Sequence, residues 1–497
     1  MRKYIQIISF LLAAVTLSGC ENWLDVKPET EVNEDDMFNT EQGFMDALYG
    51  IYVNMGKSDL YGGTLQTALD MTAQYYSYYD ISECPYGHYQ TFEYEHPSCT
   101  AISDALWMRI YYCIGLTNNL LKYLDKPEAV QICSNYDYLR GEALALRAYL
   151  HFELIRIFAP DVKKNPEYKS IPYRKTFSPD IEPQLKVKEV YQEILADLTE
   201  AKQLLSNDVI RTNGPDWLGE SEKKEESDDV TDKNEGYYTS DFLKTRKYRM
   251  NYYAVLGTLA RVHLTLGTTD DMEKAYDYAI ESGKFRPIQE EYILVSGEQA
   301  KYRDILFTDE FIFGLYSAQV DAFYKSNFDE SYGVKKILIN KLSDIYGQGT
   351  RDLRQTHWFK TSWGTSYLLK HNADLEYAKE KVRMITLAEM YYIAAEAHPA
   401  EAYDLLEEIL LSREIHSSLP VNAGRTEVLT EVLKEYRKEY IGDGQFFYAY
   451  KRLIEEEAAI HPLGINIPNE NKVLVWPLPQ DEIKYGDRES GIWKTEK

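Results

Sequence analysis

Four residues in one short stretch have the most reactive spacing in this chain: Cys84-x3-His88-x7-His96-x2-Cys99. Two thiols and two imidazoles in that order are the donor types of a zinc site. The same cysteines bracket a short loop, and a disulfide between them would add about 3 kcal/mol through loop-closure entropy. Disulfide, free thiols and metal stay open on spacing alone; a Cys84–Cys99 disulfide is the expectation, and no metal is assigned. Cys113 and Cys133 fall on successive expected helices at unequal distances from the turn, which disfavours their pairing. Catalytic patterns fail one by one. There is no Gly-x-Ser-x-Gly elbow and no His-Glu-x-x-His helix. The stretch from Gly50 to Ser58 ends in Gly56-Lys57-Ser58, but five residues separate its glycines where a phosphate loop needs four. The Asp-rich run 228–236 has Thr231 where a calcium loop needs Asp or Asn. A glycosidase needs two carboxylates across a scissile bond, and among 80 acidic residues some pair is always at hand, so their number is uninformative. No catalytic residue and no cofactor is assigned, and the chain reads as a non-enzyme.

A different chemistry is written at the start. Arg2 and Lys3 precede a mostly apolar run from Tyr4 to Leu17, too short to span a bilayer, and Leu17-Ser18-Gly19-Cys20 follows. Residues 1–19 read as a signal peptide, and the small residues before Cys20 resemble a bacterial lipobox, making Cys20 the lipidated first residue of the mature chain. The expected protein is anchored to a membrane, not threaded through it. Residues 20–497 then suffice for one large or two medium domains. A net charge of −25 disfavours nucleic acid and anionic head groups, which require clustered Lys and Arg. Tyrosine is the outlier, 43 residues against 17 Phe. Its ring offers an apolar face and its hydroxyl a hydrogen bond, which suits an amphipathic binding surface as well as a helical core.

The elements that must position such residues are helices. Val190, Ile194, Leu198, Ala201 and Leu205 recur on one helical face, as do Tyr252, Val255, Leu259, Val262 and Leu266. Leu144, Ala148, Phe152 and Ile155 mark a third helix, and Ile385, Ala388, Tyr392 and Ala395 a fourth. Further helices are expected near 41–55, 103–124, 272–283, 400–414 and 427–441. Small residues such as Ala275, Ala279, Ala394 and Ala397 allow close approach, so the fold class is mostly α: tetratricopeptide-like helix pairs without a clean 34-residue period. The scaffold covers about 38–285 and 383–455, with loop-rich insertions at 56–102, 207–248 and 285–380. The first is rich in Tyr, Gly and Pro with little helical pattern. The second contains the acidic run Glu220 to Glu235, expected to be a solvated loop. The third includes an extended piece, Glu310 to Tyr316. Long insertions usually bear function.

Several segments in order carry a family pattern. Cys20-Glu21-Asn22-Trp23-Leu24-Asp25-Val26-Lys27-Pro28 leads to Phe38 and Ala47-Leu48-Tyr49-Gly50-Ile51-Tyr52. Trp107, Tyr111, Ile114 and Asn118 follow, then Gly141-Glu142-Ala143 with Leu146-Arg147-Ala148-Tyr149. Ala260-Arg261-Val262-His263-Leu264, Glu310-Phe311-Ile312-Phe313, Asp352 with Arg354, Arg383 and Ala388-Glu389-Met390-Tyr391 continue the series. Glu435 to Glu439, Gly442-Asp443-Gly444 and Trp476-Pro477-Leu478-Pro479 close it. Through these residues the chain resembles the SusD/RagB family of outer-membrane nutrient-binding lipoproteins from Bacteroidetes. It departs at Asp443 and Gln445, where the family usually has Glu and Arg, and at Tyr448, where Asp is common. Arg147, Arg261 and Glu389 are expected to form ion pairs within the fold.

The resemblance implies a single SusD-like domain over 20–497, on the cell surface, covering a SusC-like TonB-dependent transporter. It would capture an oligosaccharide and pass it on unchanged. An oligopeptide ligand, or a scaffold that binds only protein partners, are the alternatives. Aromatic and polar residues of the insertions are the candidate ligand contacts. These are Gln74, Tyr75, Tyr76, Tyr78, Tyr79, Asp80, Tyr86 and Tyr89 from the first, and Asp321, Phe323, Tyr324, Trp358 and Trp363 from the third.

Overall fold

Helices start in this chain where a side chain can cap them. Thr40 accepts the Gly43 N–H ahead of α1 (Glu41–Met55), and Asn251 accepts the Ala254 N–H ahead of α6 (Tyr252–Leu266). Thr268 caps α7 (Thr269–Gly283). Such caps satisfy otherwise orphaned backbone donors. The computed structural model describes residues 34–78, 81, 84–215, 242–284, 304–328, 337–339, 342–362, 364–371, 375 and 378–493. The expected signal peptide at 1–19, the expected lipidation site Cys20 and the run Glu220 to Glu235 lie outside the described residues.

The remaining long helices are α2 (Thr64–Thr72), α3 (Pro97–Leu124), α4 (Tyr136–Phe158), α5 (Val187–Leu204), α8 (Val320–Phe328), α9 (Leu387–Ala397), α10 (Ala402–Leu411), α11 (Arg425–Glu439) and α12 (Gln445–Arg452). Packing runs in sequence: α3 on α4, α4 on α5, α5 on α6, α6 on α7, α7 on α9, and α9 on α10 and α11. Each helix buries its stripe against its neighbour in the chain, the logic of a helical-repeat scaffold. Ala275, Ala279, Ala394 and Ala395 are fully enclosed at these contacts. Three antiparallel strand pairs decorate the scaffold: β1 (Tyr76–Tyr78) with β3 (Ile337–Ile339), β2 (Phe311–Tyr316) with β6 (Lys381–Thr386), and the hairpin β4 (Phe359–Ser362) with β5 (Thr365–Leu368).

The first insertion is more ordered than its composition suggests. It contains α2 and the first turns of α3, which begins at Pro97, in the N-terminal slot proline favours, with His96 as cap. All of α2 from Leu65 to Thr72 is buried, so it has no polar face and no amphipathic period to detect. Ile385 belongs to β6 and not to the helix that follows, because the chain turns helical only at Leu387.

The expected disulfide does not form. Cys84, Cys99, Cys113 and Cys133 are all buried free thiols. The Cys84 sulfur accepts from the backbone N–H groups of Tyr86 and Gly87. Cys99 sits in the first turn of α3, its carbonyl accepting the Tyr89 hydroxyl at 3.0 Å. Burial raises both thiols, Cys99 to about 12, which keeps them protonated and inert. Between them His88 and His96 stack with centroids 3.5 Å apart, each engaging a neighbour through Nδ1: Glu93 at 2.6 Å and Ser98 at 2.7 Å.

Most of the family-pattern charges are structural. Arg147 pairs with Asp197 at 2.7 Å and Arg261 with Glu389 at 2.5 Å, both pairs buried. Glu439 is a hub: Arg383 reaches it at 2.6 Å, Arg354 at 3.0 Å and Arg413 at 3.2 Å. Burial opposes its ionisation, but Arg413, Arg383 and Arg354 together outweigh burial and hold the carboxyl well below the usual range. Lys370 adds an ion pair to Asp443 at 2.6 Å and donates to the carbonyls of Glu439 and Ile441. The Gly-Asp-Gly stretch thus serves to dock α11 and α12.

Candidate functional site

Six of the expected ligand contacts turn inward. Tyr75, Tyr76, Tyr86, Tyr89, Tyr324 and Trp358 are buried, and their polar atoms are already engaged. Tyr75 donates to the Arg437 carbonyl at 2.6 Å, Tyr76 to Asp70 at 2.8 Å and Tyr324 to the Gly442 carbonyl at 2.7 Å. The Trp358 indole donates to the Ile305 carbonyl at 2.6 Å, and Tyr89 shares a hydrogen bond with Ser103 at 2.7 Å. A ring enclosed in this way offers no face to a sugar; these residues pin the insertions to the scaffold. Tyr79, Asp80 and Trp363 lie outside the described residues.

Gln74, Tyr78, Asp321 and Phe323 keep partial exposure. The Gln74 amide donates to the Gln90 carbonyl, and Asp321 accepts the Glu380 N–H at 3.2 Å. Phe323 lies over Gly63, where a Cβ would meet its ring at 2.1 Å and where φ is +145°. Only glycine satisfies both demands. The Tyr86 ring stands 6.4 Å from Phe323, and Tyr78 lies against Gly87, the next residue. Tyr78 and Phe323 therefore border one surface, across a short helix, Gly87–Gln90.

A wide opening with exposed rings lies on the outer face of α3. It is a groove of about 610 Å³, within the usual range for ligand sites. Ala105, Met108, Arg109, Tyr112 and Gly115 line it at helical spacing, opposite the core face of Leu106, Ile110, Cys113 and Ile114. Met108 is 69% exposed, Tyr112 51% and Phe177, across the groove, 50%. A Cβ on Gly115 would meet nothing within 4 Å, so this glycine leaves the floor open. The far wall is held rigidly. Tyr111 donates to the Pro172 carbonyl at 2.8 Å and Asn118 to the Arg174 carbonyl at 3.0 Å. His151 gives its Nδ1 proton to the Arg147 carbonyl at 2.8 Å and accepts the Arg174 N–H on Nε2 at 3.0 Å. Burial holds that imidazole neutral, down to about 3, as both contacts require.

Charged groups sit between the rings. Arg109 clasps Asp59 Oδ2 through Nε and Nη2 at 2.9 and 2.5 Å, its guanidinium 5.6 Å from the Tyr112 ring centroid. Asp59 Oδ1 is buried and has no partner among the described residues. Ser58, next to Asp59, donates its N–H to Gln319 of the segment leading into α8 at 2.7 Å. The 57–63 segment thereby connects the groove at Asp59 with Phe323 at Gly63. Trp107 and Tyr111 belong to the family pattern, whereas Met108 and Tyr112 carry no motif in the sequence. The available signal was a second apolar pair on α3, set off from the core stripe.

A helical-repeat scaffold carrying an open groove of exposed rings and paired charges has the architecture of a binding protein. Comparison with known proteins shows what the chain resembles. Residues 22–214 match the family model SusD-like, described as starch-binding and associating with the outer membrane. A SusD superfamily protein from Bacteroides thetaiotaomicron shares the fold at a TM-score of 0.64 and 20% identity, over 90% of this chain and 98% of that one. One from Bacteroides vulgatus gives 0.64 and 21%, over 92% and 100%. A laminarin-binding SusD-like protein gives 0.61 and 18%, over 92% and 100%. No curated protein matches the chain in sequence. The chain thus shares the fold of these SusD superfamily structures, and its first part, residues 22–214, carries the SusD-like signature.

Proposed function

We propose that the protein is a surface lipoprotein that captures an oligosaccharide and passes it, chemically unchanged, to a SusC-like TonB-dependent transporter in the outer membrane. The observation that carries the capture step is the α3 groove, where half-exposed Tyr112 and Phe177 flank fixed polar groups. Sugar rings stack on such aromatic faces, and the Arg109 guanidinium beside Tyr112 can donate to a sugar hydroxyl. Lipidation of Cys20 would hold the protein at the membrane, and no helix among the described residues is long and apolar enough to cross one.

The test is a thermal-shift screen of the unlipidated chain, residues 21–497, against plant, host and microbial glycans and peptide pools. Calorimetry on Tyr112→Ala and Tyr78→Ala follows any hit. The expected result is a glycan hit weakened at least tenfold, about 1.4 kcal/mol, by Tyr112→Ala. Stabilisation by peptides alone would assign the protein to oligopeptide capture. Silence across both sets would remove the capture reading.

A further inference from the structure

We propose that the α3 groove is selective for acidic oligosaccharides, binding the carboxylate of a uronic-acid residue through Arg174 with Arg109 and Arg488. This rests on the glycan-capture reading and names its ligand class. The chain carries a net charge of −25, yet the groove runs against that trend: three guanidinium groups line it against two carboxylates, Asp59 and Glu482. Both carboxylates are committed, Asp59 to Arg109 at 2.5 Å and Glu482 to Arg488 at 3.1 Å. Arg174 has the loosest counter-charge of the three, Glu182 at 4.0 Å.

Each guanidinium also has donors to spare. Arg109 uses Nε and Nη2 on Asp59, and Arg174 uses Nη2 on the Ser178 carbonyl at 2.5 Å. Arg488 uses Nε on Glu482 and Nη1 on the Glu182 carbonyl. One terminal nitrogen of each has no hydrogen-bond partner among the described residues. A guanidinium edge matches the planar, two-oxygen shape of a carboxylate. The apolar wall decides between a sugar acid and a bare anion. Met108, Tyr112 and Phe177 present a thioether and two ring faces beside the guanidinium groups. An inorganic anion gains nothing from these, whereas the face of a pyranose ring does. The Arg174 backbone is fixed from both sides, by His151 and Asn118, so little ordering is left to the moment of binding.

The test uses the unlipidated chain, residues 21–497, with an oligogalacturonide and the same oligosaccharide after carboxyl reduction to its neutral form. Calorimetry should show the acidic form binding at least tenfold tighter at low salt, with the gap shrinking at high salt as charges are screened. Arg174→Gln should remove most of the gap, while Phe177→Ala, at a half-exposed position, should weaken both forms. Thermal melts establish that each variant is folded, and Arg109→Gln serves as the second guanidinium variant if Arg174→Gln is not. Equal binding of the two forms, or a gap unchanged in a folded guanidinium variant, overturns the proposal while leaving glycan capture standing. Failure of both forms, with a neutral glycan bound elsewhere in the screen, does the same. Failure of every glycan overturns the capture reading itself.

Discussion

Asp70 lies on α2 with its carboxyl wholly enclosed; Oδ2 accepts the Gly442 N–H at 2.6 Å and the Tyr76 hydroxyl at 2.8 Å, while Oδ1 has no partner. Burial is the largest influence and raises this group from 3.8 to about 8, with Asp443 adding and Lys370 opposing. Between about pH 4 and pH 8 the folded chain therefore holds a proton that the unfolded chain has lost. Stability contributed by this site falls as pH rises through that window, by up to about 1.4 kcal/mol per pH unit. Asp70→Asn keeps an acceptor for Gly442 and Tyr76 and cannot ionise. Urea unfolding at pH 5 and pH 8 should show a smaller loss of stability in the variant than in the parent. Equal losses would mean that Asp70 is ionised in the folded protein. At the same scale, the candidate tyrosines divide by their hydrogen bonds: one whose hydroxyl finds a partner inside the fold, as Tyr75 and Tyr76 do, is core, however loop-like its neighbours in sequence.

At the scale of elements, α11 is the joint between the helical array and the third insertion. Glu435 and Glu439, one turn apart, meet Arg354 from the short helix Leu353–Trp358, and Glu439 meets Arg383 from β6. Arg413, just after α10, completes the hub and also pairs with Glu310 at 2.7 Å. Replacing Glu439 by Ala leaves three enclosed guanidinium groups short of a counter-charge, a change that typically costs 3–5 kcal/mol. Chemical denaturation of Glu439→Ala should show a loss on the order of 3 kcal/mol or more, and a loss under about 1 kcal/mol would mark the hub as dispensable. Such motifs are legible as a family pattern, but their partners are not. The spacing of Glu435 and Glu439 places both on one face of a helix without revealing which arginines arrive from 26 to 85 residues away.

For the whole molecule, sequential helix packing means that stability accrues from neighbour to neighbour, with no covalent cross-link among the described residues. A Cys84–Cys99 disulfide would have constrained the unfolded chain; in its absence reductant has nothing to release. The melting temperature of residues 21–497 should be the same with and without dithiothreitol, and four thiols should react with a thiol reagent only after unfolding. A lower melting temperature in reductant would restore the disulfide. The same scale governs the groove, because its walls come from α3, the 172–178 segment and the C-terminal stretch around Glu482 and Arg488, which are distant in the chain.

The chain's residues by themselves determined the helical class, an extended piece at Glu310 to Tyr316 (the strand itself begins at Phe311) and the segments that carry the family resemblance. They also determined that Arg147, Arg261 and Glu389 would be used within the fold. These follow from local periodicity and from the cost of leaving a charge on a buried helical face unpaired. Tertiary structure alone decided which tyrosines are core and which surfaces remain open. Tyr75 is buried because an acceptor 362 residues away, the Arg437 carbonyl, comes to meet it. Tyr112 is left half-exposed because no described residue covers that face of α3. Composition is identical for the two; burial is a property of what the rest of the chain places beside them.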